Sequence, residues 1–177
     1  KLTSGVPGKV RAGGQCLSQD TFVIEKKRGE IKLKGVKKGD LLKGINFDTM
    51  KHIFNKCIDK WSVSKKESLL IITDGEYPSS HIDSSLDHTF YVYNKNKIAE
   101  KLASRLKVGD CLIGRGGKLI KILSVDRAVN RTNLIDIEVE NKNFLANGIV
   151  VHNSSQRFHR ITEGLAKEFF RRVAEDM

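Results

Sequence analysis

The amino-acid sequence predicts an all-β domain, and three observations support this fold class. Short runs of β-branched and aromatic residues recur through the middle of the chain. Turn signals rich in Gly, Asn and Asp separate these runs. One seven-residue pattern also occurs twice, about 70 residues apart, as in a fold built from two related halves.

Each predicted strand is a short apolar run bounded by a turn. The runs are Thr21–Ile24, Leu69–Ile72, Phe90–Tyr93, Leu119–Leu123 and Ile135–Val139. The turn signals between them are Asp74-Gly75, Asn94-Lys95-Asn96 and Gly114-Arg115-Gly116-Gly117. Many short strands with such spacing are typical of an all-β domain rather than of alternating strands and helices.

The repeated pattern occupies Val36–Leu42 and Leu106–Leu112. In each copy an apolar residue leads into a Gly-Asp pair, Gly39-Asp40 or Gly109-Asp110, and a further apolar run follows. We therefore predict two β halves with related turns.

The two ends of the chain differ from the middle. Residues 1–15 contain Gly and Lys without hydrophobic periodicity, and residues 154–177 show the period of an amphipathic helix. Ser154 or Ser155 can cap its start. The apolar stripe of this predicted helix comprises Phe158, Ile161, Leu165, Phe169 and Val173.

Composition restricts the class of protein. The formal net charge of +11 suggests nucleic-acid binding, but the basic residues are dispersed among acids and aromatics make up only 7% of the chain. A basic, soluble surface is the alternative interpretation. No apolar run approaches the ~20 residues of a membrane span, and we expect a cytoplasmic monomer. The odd count of three cysteines leaves room for a reactive thiol.

The middle segment has distinctive ends. It begins with Cys16 in the string Cys-Leu-Ser-Gln-Asp-Thr-Phe-Val, and it closes with Asn143–Asn153, which ends His152-Asn153 before Ser154. These ends resemble the first and last sequence blocks of inteins, which excise themselves from a host protein and join the flanking segments. The resemblance implies a pseudo-symmetric, horseshoe-like Hint fold over residues 16–153. It also implies a mini-intein, because no endonuclease motif lies between the ends, and a reaction that needs no cofactor, metal or partner.

The resemblance assigns roles at the first junction. Cys16 is the nucleophile that converts its peptide bond with Gln15 into a thioester. Ser85 and His88 match the family's Thr-x-x-His block, with Ser in place of Thr. The hydroxyl of Ser85 would hydrogen-bond the scissile peptide, and His88 would protonate the departing nitrogen. Asp87 either orients the imidazole of His88 or caps the turn backbone.

The resemblance also assigns roles at the second junction. Ser154 would attack the thioester, and Asn153 would cyclise to release the segment while His152 assists. Asp136 would activate Ser154 and tune Cys16, although the two-residue period of its strand alone would make it an exposed carboxylate on the face of Glu138.

One residue departs from the family pattern. Lys142 stands where the terminal block usually carries a His. Lysine cannot replace a neutral imidazole without a large fall in pKa. Either His152 alone assists the cyclisation of Asn153, or Lys142 stabilises negative charge there.

The flanks carry a second resemblance. Removing residues 16–153 joins Gly13-Gly14-Gln15 to Ser154-Ser155, followed by Gln-Arg-Phe and the predicted helix. This string resembles the Gly-Gly-Gln loop of the archaeal and eukaryotic type of peptide chain release factor. The resemblance implies a host that binds the ribosome and promotes hydrolysis of peptidyl-tRNA.

Two other interpretations remain open from the sequence. The chain could be a basic ribosome- or RNA-binding protein that uses Gly13-Gly14-Gln15 directly, although the β segment would interrupt that loop. It could also be a Hint-type domain that cleaves itself without ligation. The His152-Asn153-Ser154 ending favours splicing, because cleavage alone does not require it.

Overall fold

The computed structural model describes residues 15–49, 51–64, 67–129 and 133–152. Over these residues the alternating and continuous apolar runs of the sequence form a β-rich domain. These residues contain three short 3₁₀ helices, Leu33–Gly35, Ala103–Arg105 and Arg115–Gly117, and no α-helix. Their strands are β1 Cys16–Ser18, β2 Phe22–Glu25, β3 Gly29–Lys32, β4 Leu41–Asn46, β5 Lys51–Val63, β6 Glu67–Thr73, β7 His81–Ser84, β8 Thr89–Asn94, β9 Lys97–Leu102, β10 Cys111–Ile113, β11 Leu119–Val129, β12 Leu134–Val139, β13 Asn143–Ala146 and β14 Ile149–His152. The predicted all-β class is therefore confirmed.

The strands follow one hydrogen-bonded path, and every pairing between them is antiparallel. The order along the path is β13-β14-β8-β10-β11-β6-β7-β1-β12-β5-β4-β2-β3, with β9 paired to β8. The first strand, β1, lies between β7 and β12, whereas the last strand, β14, lies between β13 and β8. The short connection from β7 to β8 therefore runs from the neighbour of β1 to the neighbour of β14.

The repeated sequence pattern forms two matching turns. In the first, the N–H of Lys37 donates to the Asp40 carboxylate at 2.8 Å, and in the second Lys107 donates to Asp110 at 2.9 Å. A 3₁₀ helix precedes each turn. Both turn glycines have positive φ, +91° and +93°, a conformation that strains other residues. The related turns predicted from the repeat are thus present, whereas the division into two related halves stays a prediction.

The apolar residues bury themselves in two clusters. The larger cluster includes Leu17, Ile71, Ile82 and Phe90, which join the strands around β1 to those around β8. The smaller cluster packs beside β14 and contains Ile45, Tyr91, Ile98, Ile113, Leu145 and Val150. Strands β1 and β14 therefore both pack in clusters of buried apolar side chains.

Each of the five predicted strands is present, within a strand of equal or greater length or shifted by one residue. The long strand β5 was not predicted, because its lysines and exposed apolar residues such as Phe54 and Ile58 give no clean alternation. The predicted C-terminal helix and the flank 1–14 lie outside the described residues. Among the described residues, no helix is long and apolar enough to cross a membrane.

Candidate functional site

Cys16 is held by two hydrogen bonds with Ser85. It starts β1, and its side chain is fully buried. The N–H of Cys16 donates to the Ser85 hydroxyl at 3.1 Å, and the N–H of Ser85 donates to the Cys16 carbonyl at 2.8 Å. The first of these N–H groups belongs to the peptide bond between Gln15 and Cys16. Ser85 thus contacts the bond that the sequence predicts to be cleaved.

Asp136 lies directly across the sheet from Cys16. Strands β1 and β12 pair in antiparallel register with Cys16 opposite Asp136. Opposing residues in such a pair have Cα atoms about 4.5–5.5 Å apart and side chains on the same face. Asp136 is 1% exposed, whereas Glu138 is half-buried, so the strand period alone was wrong in making Asp136 an exposed carboxylate. A buried carboxylate and a buried thiol face the same side of the sheet.

The turn between β7 and β8 carries His88, three residues after Ser85. The carbonyl of His88 accepts from the N–H of Ala103 at 2.7 Å, and its N–H donates to the Ser85 carbonyl at 3.3 Å. Its buried imidazole packs edge-on against the ring of Phe90, with centroids 5.0 Å apart. Asp87 is half-buried in the same turn. The backbone of His88 is therefore held by one hydrogen bond within its own turn and one to the 3₁₀ helix Ala103–Arg105.

The side chain of Gln15 is anchored beside His88. The Gln15 side-chain oxygen accepts a hydrogen bond from the N–H of Thr89 at 3.3 Å, across 74 residues of chain. Gln15 is half-buried. The residue before the first junction is therefore positioned by the insert itself.

His152 ends β14 at the other side of the site. It pairs with Asn143 across β13 and β14. The Asn143 side chain accepts from the N–H of Ile45 at 2.8 Å and donates to the Ile45 carbonyl at 2.9 Å, which fastens β13 to β4. Lys142 and Asn143 also line a cleft of about 270 Å³ with residues of the β4–β5 turn. His152 is thus presented by a hairpin anchored at its base.

Two further side chains surround His152. Its Nε2 lies 3.7 Å from the Oε2 of Glu100, and its ring centroid lies 5.8 Å from that of Tyr91. Tyr91 is also buried against Phe47, with ring centroids 5.5 Å apart. Burial, and then the charge of Glu100, raises the pKa of Tyr91 well above its usual range. The phenol therefore remains neutral beside the imidazole.

The structure brings Cys16, Ser85 and Asp136 together and places His88 in the adjoining turn. Gly13, Gly14, Asn153 and Ser154 lie outside the described residues. Among the described residues, no three His, Cys, Asp or Glu side chains form a group that could hold a metal ion. The arrangement offers a thiol, a hydroxyl and a carboxylate around one peptide bond, with an imidazole in the next turn, which is the set that acyl transfer uses.

Sequence reasoning missed several residues of the site. Glu100 and Tyr91 sit in ordinary strand sequences without a local motif, and only their register across β8 and β9 brings them together. The Gln15 contact with Thr89 had no signal either, because a backbone N–H is present at almost every residue. Asn143 belongs to the terminal sequence block, but the two hydrogen bonds between its side chain and the backbone of Ile45 could not be predicted.

The domain has a buried Cys16 on its first strand, only antiparallel pairings among its described strands, and two matching Gly-Asp turns. Similar structures have been solved. The gp41-1 intein is 30% identical, with a TM-score of 0.65, over 79% of this chain and 99% of its own. A bacterial intein-like domain from Clostridium thermocellum is 20% identical, with a TM-score of 0.68, over 78% of this chain and 98% of its own. A DnaB intein from Synechocystis sp. PCC 6803 is 22% identical, with a TM-score of 0.66, over 80% and 99%.

Because the chain is 30% identical to the gp41-1 intein and the match covers 99% of that protein, the chain belongs to the intein family. The two likenesses below 25% identity show the shared fold. No protein-family model matches the chain, and no curated protein matches it. Autoprocessing is accordingly the activity of this domain.

Proposed function

We propose that residues 16–153 excise themselves and join Gln15 to Ser154 by protein splicing. The hydrogen bond from the scissile N–H of Cys16 to the Ser85 hydroxyl, at 3.1 Å, carries this proposal. It places a polar contact on the peptide bond that must break. The buried Asp136 across from Cys16 and the anchored side chain of Gln15 support it.

In the first step, the carbonyl carbon of Gln15 exchanges its bond to the Cys16 nitrogen for a bond to the Cys16 sulfur. Sγ of Cys16 attacks the carbonyl carbon of Gln15, the carbon–nitrogen bond breaks, and the thiol proton ends on the freed amine. His88 relays this proton, since an imidazole near neutral pH both accepts and donates. Ser85 holds the peptide nitrogen in place while this happens.

The remaining steps join the flanks. The Ser154 hydroxyl attacks the thioester carbon, Cys16 regains its thiol proton, and Gln15 becomes esterified to Ser154. Asp136 assists, because a serine hydroxyl needs a nearby base. The Asn153 side-chain nitrogen then attacks its own main-chain carbonyl and loses a proton, the bond to Ser154 breaks, and the Ser154 nitrogen gains a proton. The ester finally rearranges to a peptide bond.

Intact mass measurement of the 177-residue chain tests splicing. A fragment of residues 16–153, together with a ligated peptide that contains Gly-Gly-Gln-Ser-Ser, is the expected result. Asn153→Ala should abolish that peptide while thiol-induced cleavage after Gln15 persists. Cleaved ends without the ligated peptide in the unaltered chain would instead indicate Hint-type cleavage without ligation and would contradict the splicing proposal.

We also propose that the flanks belong to a translation termination factor. The support is the restored Gly-Gly-Gln-Ser-Ser string, in which the insert separates Gln15 from Ser154. A host loop interrupted there would bind the ribosome productively only after splicing. The test is peptide release from ribosome-bound peptidyl-tRNA by the host protein before and after splicing. Equal activity of the two forms would contradict the proposal.

A further inference from the structure

Glu100 directs a carboxylate into the interior of the site. It lies on β9 opposite Tyr91 of β8, and its side chain is only 16% exposed. Glutamate is rarely enclosed to this extent unless a partner compensates for lost hydration. Its neighbours on β9, Ala99 and Lys101, lie on the opposite face of the strand. The enclosure of Glu100 therefore calls for a partner on the face of Tyr91.

The buried imidazole of His152 supplies that partner. Oε2 of Glu100 lies 3.7 Å from Nε2 of His152, which is longer than a hydrogen bond but within the limit of about 4 Å for an ion pair with a protonated imidazole. Of the two strands that pair with β14, β8 contributes Tyr91, which stays neutral, and β13 contributes the uncharged Asn143. Glu100, on the adjoining strand β9, brings a carboxylate within ion-pair distance of His152.

We propose that Glu100 is a positioning residue that acts at the second junction. It holds His152 with Nε2 toward the Glu100 carboxylate and stabilises the protonated imidazole of His152. This inference rests on the proposed splicing reaction. A protonated His152 can give its proton to the Ser154 nitrogen as Asn153 cyclises, and Glu100 then favours its reprotonation. Such a role would let His152 act where the family's other His is replaced by Lys142.

The test separates the two junctions. In Cys16→Ala, C-terminal cleavage reports the cyclisation of Asn153 alone, and in Asn153→Ala, thiol-induced cleavage reports the first junction alone. Glu100→Gln should slow C-terminal cleavage about tenfold and shift the alkaline limb of its pH profile to lower pH. It should leave thiol-induced cleavage within about twofold of the parent. Glu67→Gln, which removes an exposed carboxylate from β6, is the matched control and should change neither rate.

A readout that does not depend on cleavage completes the test. In the inactive Cys16→Ala/Asn153→Ala chain, ¹⁵N NMR of the His152 ring should titrate about one pH unit lower after Glu100→Gln. An unchanged titration, an unchanged C-terminal rate or equal slowing at both junctions would overturn the role of Glu100. Absence of cleavage at either junction in the parent chains would overturn splicing itself, and the role of Glu100 with it.

Discussion

Replacing Ser85 by Ala removes one atom from the first junction. The hydroxyl of Ser85 accepts the N–H of Cys16 at 3.1 Å, and both residues are fully buried. Without the hydroxyl, that buried N–H loses its partner, which costs about 1–3 kcal/mol. If the contact acts on the scissile bond during reaction, the first step should slow by about 5- to 150-fold. The two backbone hydrogen bonds around Ser85 do not involve its hydroxyl and should survive.

The rate of thiol-induced cleavage in the Asn153→Ala chain measures this effect. Ser84→Ala is the matched control, because Ser84 is equally buried but its hydroxyl donates to the Ser85 carbonyl at 3.0 Å rather than contacting Cys16. Ser85→Thr retains the hydroxyl and adds a methyl group, so it should retain more of the rate than Ala does. Cleavage in Ser85→Ala at the parent rate, or Ser84→Ala as slow as Ser85→Ala, would refute the reasoning.

Three more predictions follow from contacts away from Ser85. Gln15→Leu removes the hydrogen bond to the N–H of Thr89 and should slow thiol-induced cleavage about two- to tenfold, read by mass spectrometry; an unchanged rate would contradict anchoring of Gln15. Gly44→Ala would place a Cβ 2.6 Å from the Asn143 carbonyl and should lower the unfolding free energy by about 1–3 kcal/mol in urea, while Gly35→Ala, with open space around it, should not. Burial raises the pKa of the Cys57 thiol from 9.0 to about 11. Above pH 9 the unfolded thiol therefore ionises first, and stability should fall by about 2 kcal/mol by pH 11, a fall that Cys57→Ala should reduce.

The strands with strong apolar runs could be predicted because their local sequence agrees with the final environment. The paired Gly-Asp turns were also visible, since their positive φ requires glycine at residues 39 and 109. Strand β5 could not be predicted, because its pairing with β4 and β12 decides its conformation. Its buried Asn55, whose side chain donates to the carbonyls of Leu42 and Asn143, has meaning only in that tertiary setting.

The candidate site shows the same division. The resemblance to intein sequence blocks pointed to Cys16, Ser85 and Asp136, but no periodicity could place the carboxylate of Asp136 in the interior. The burial of Asp136 depends on the register of β1 against β12. The contact of Glu100 could not be predicted from local sequence either, because its partner His152 lies 52 residues away on a strand that does not pair with β9.

The turn that joins β7 to β8 is a short covalent connection between the strands next to the two junctions. Ser85 at its start bonds Cys16, and Phe90, five residues on, pairs with Val151 of β14. At about 3.3 Å per residue, the chain between Ser85 and Phe90 spans no more than about 17 Å. In the proposed reaction this short span sets a high effective concentration of the Ser154 hydroxyl at the thioester. Ligation can then proceed as a transfer within one molecule, although the insert between the junctions is long.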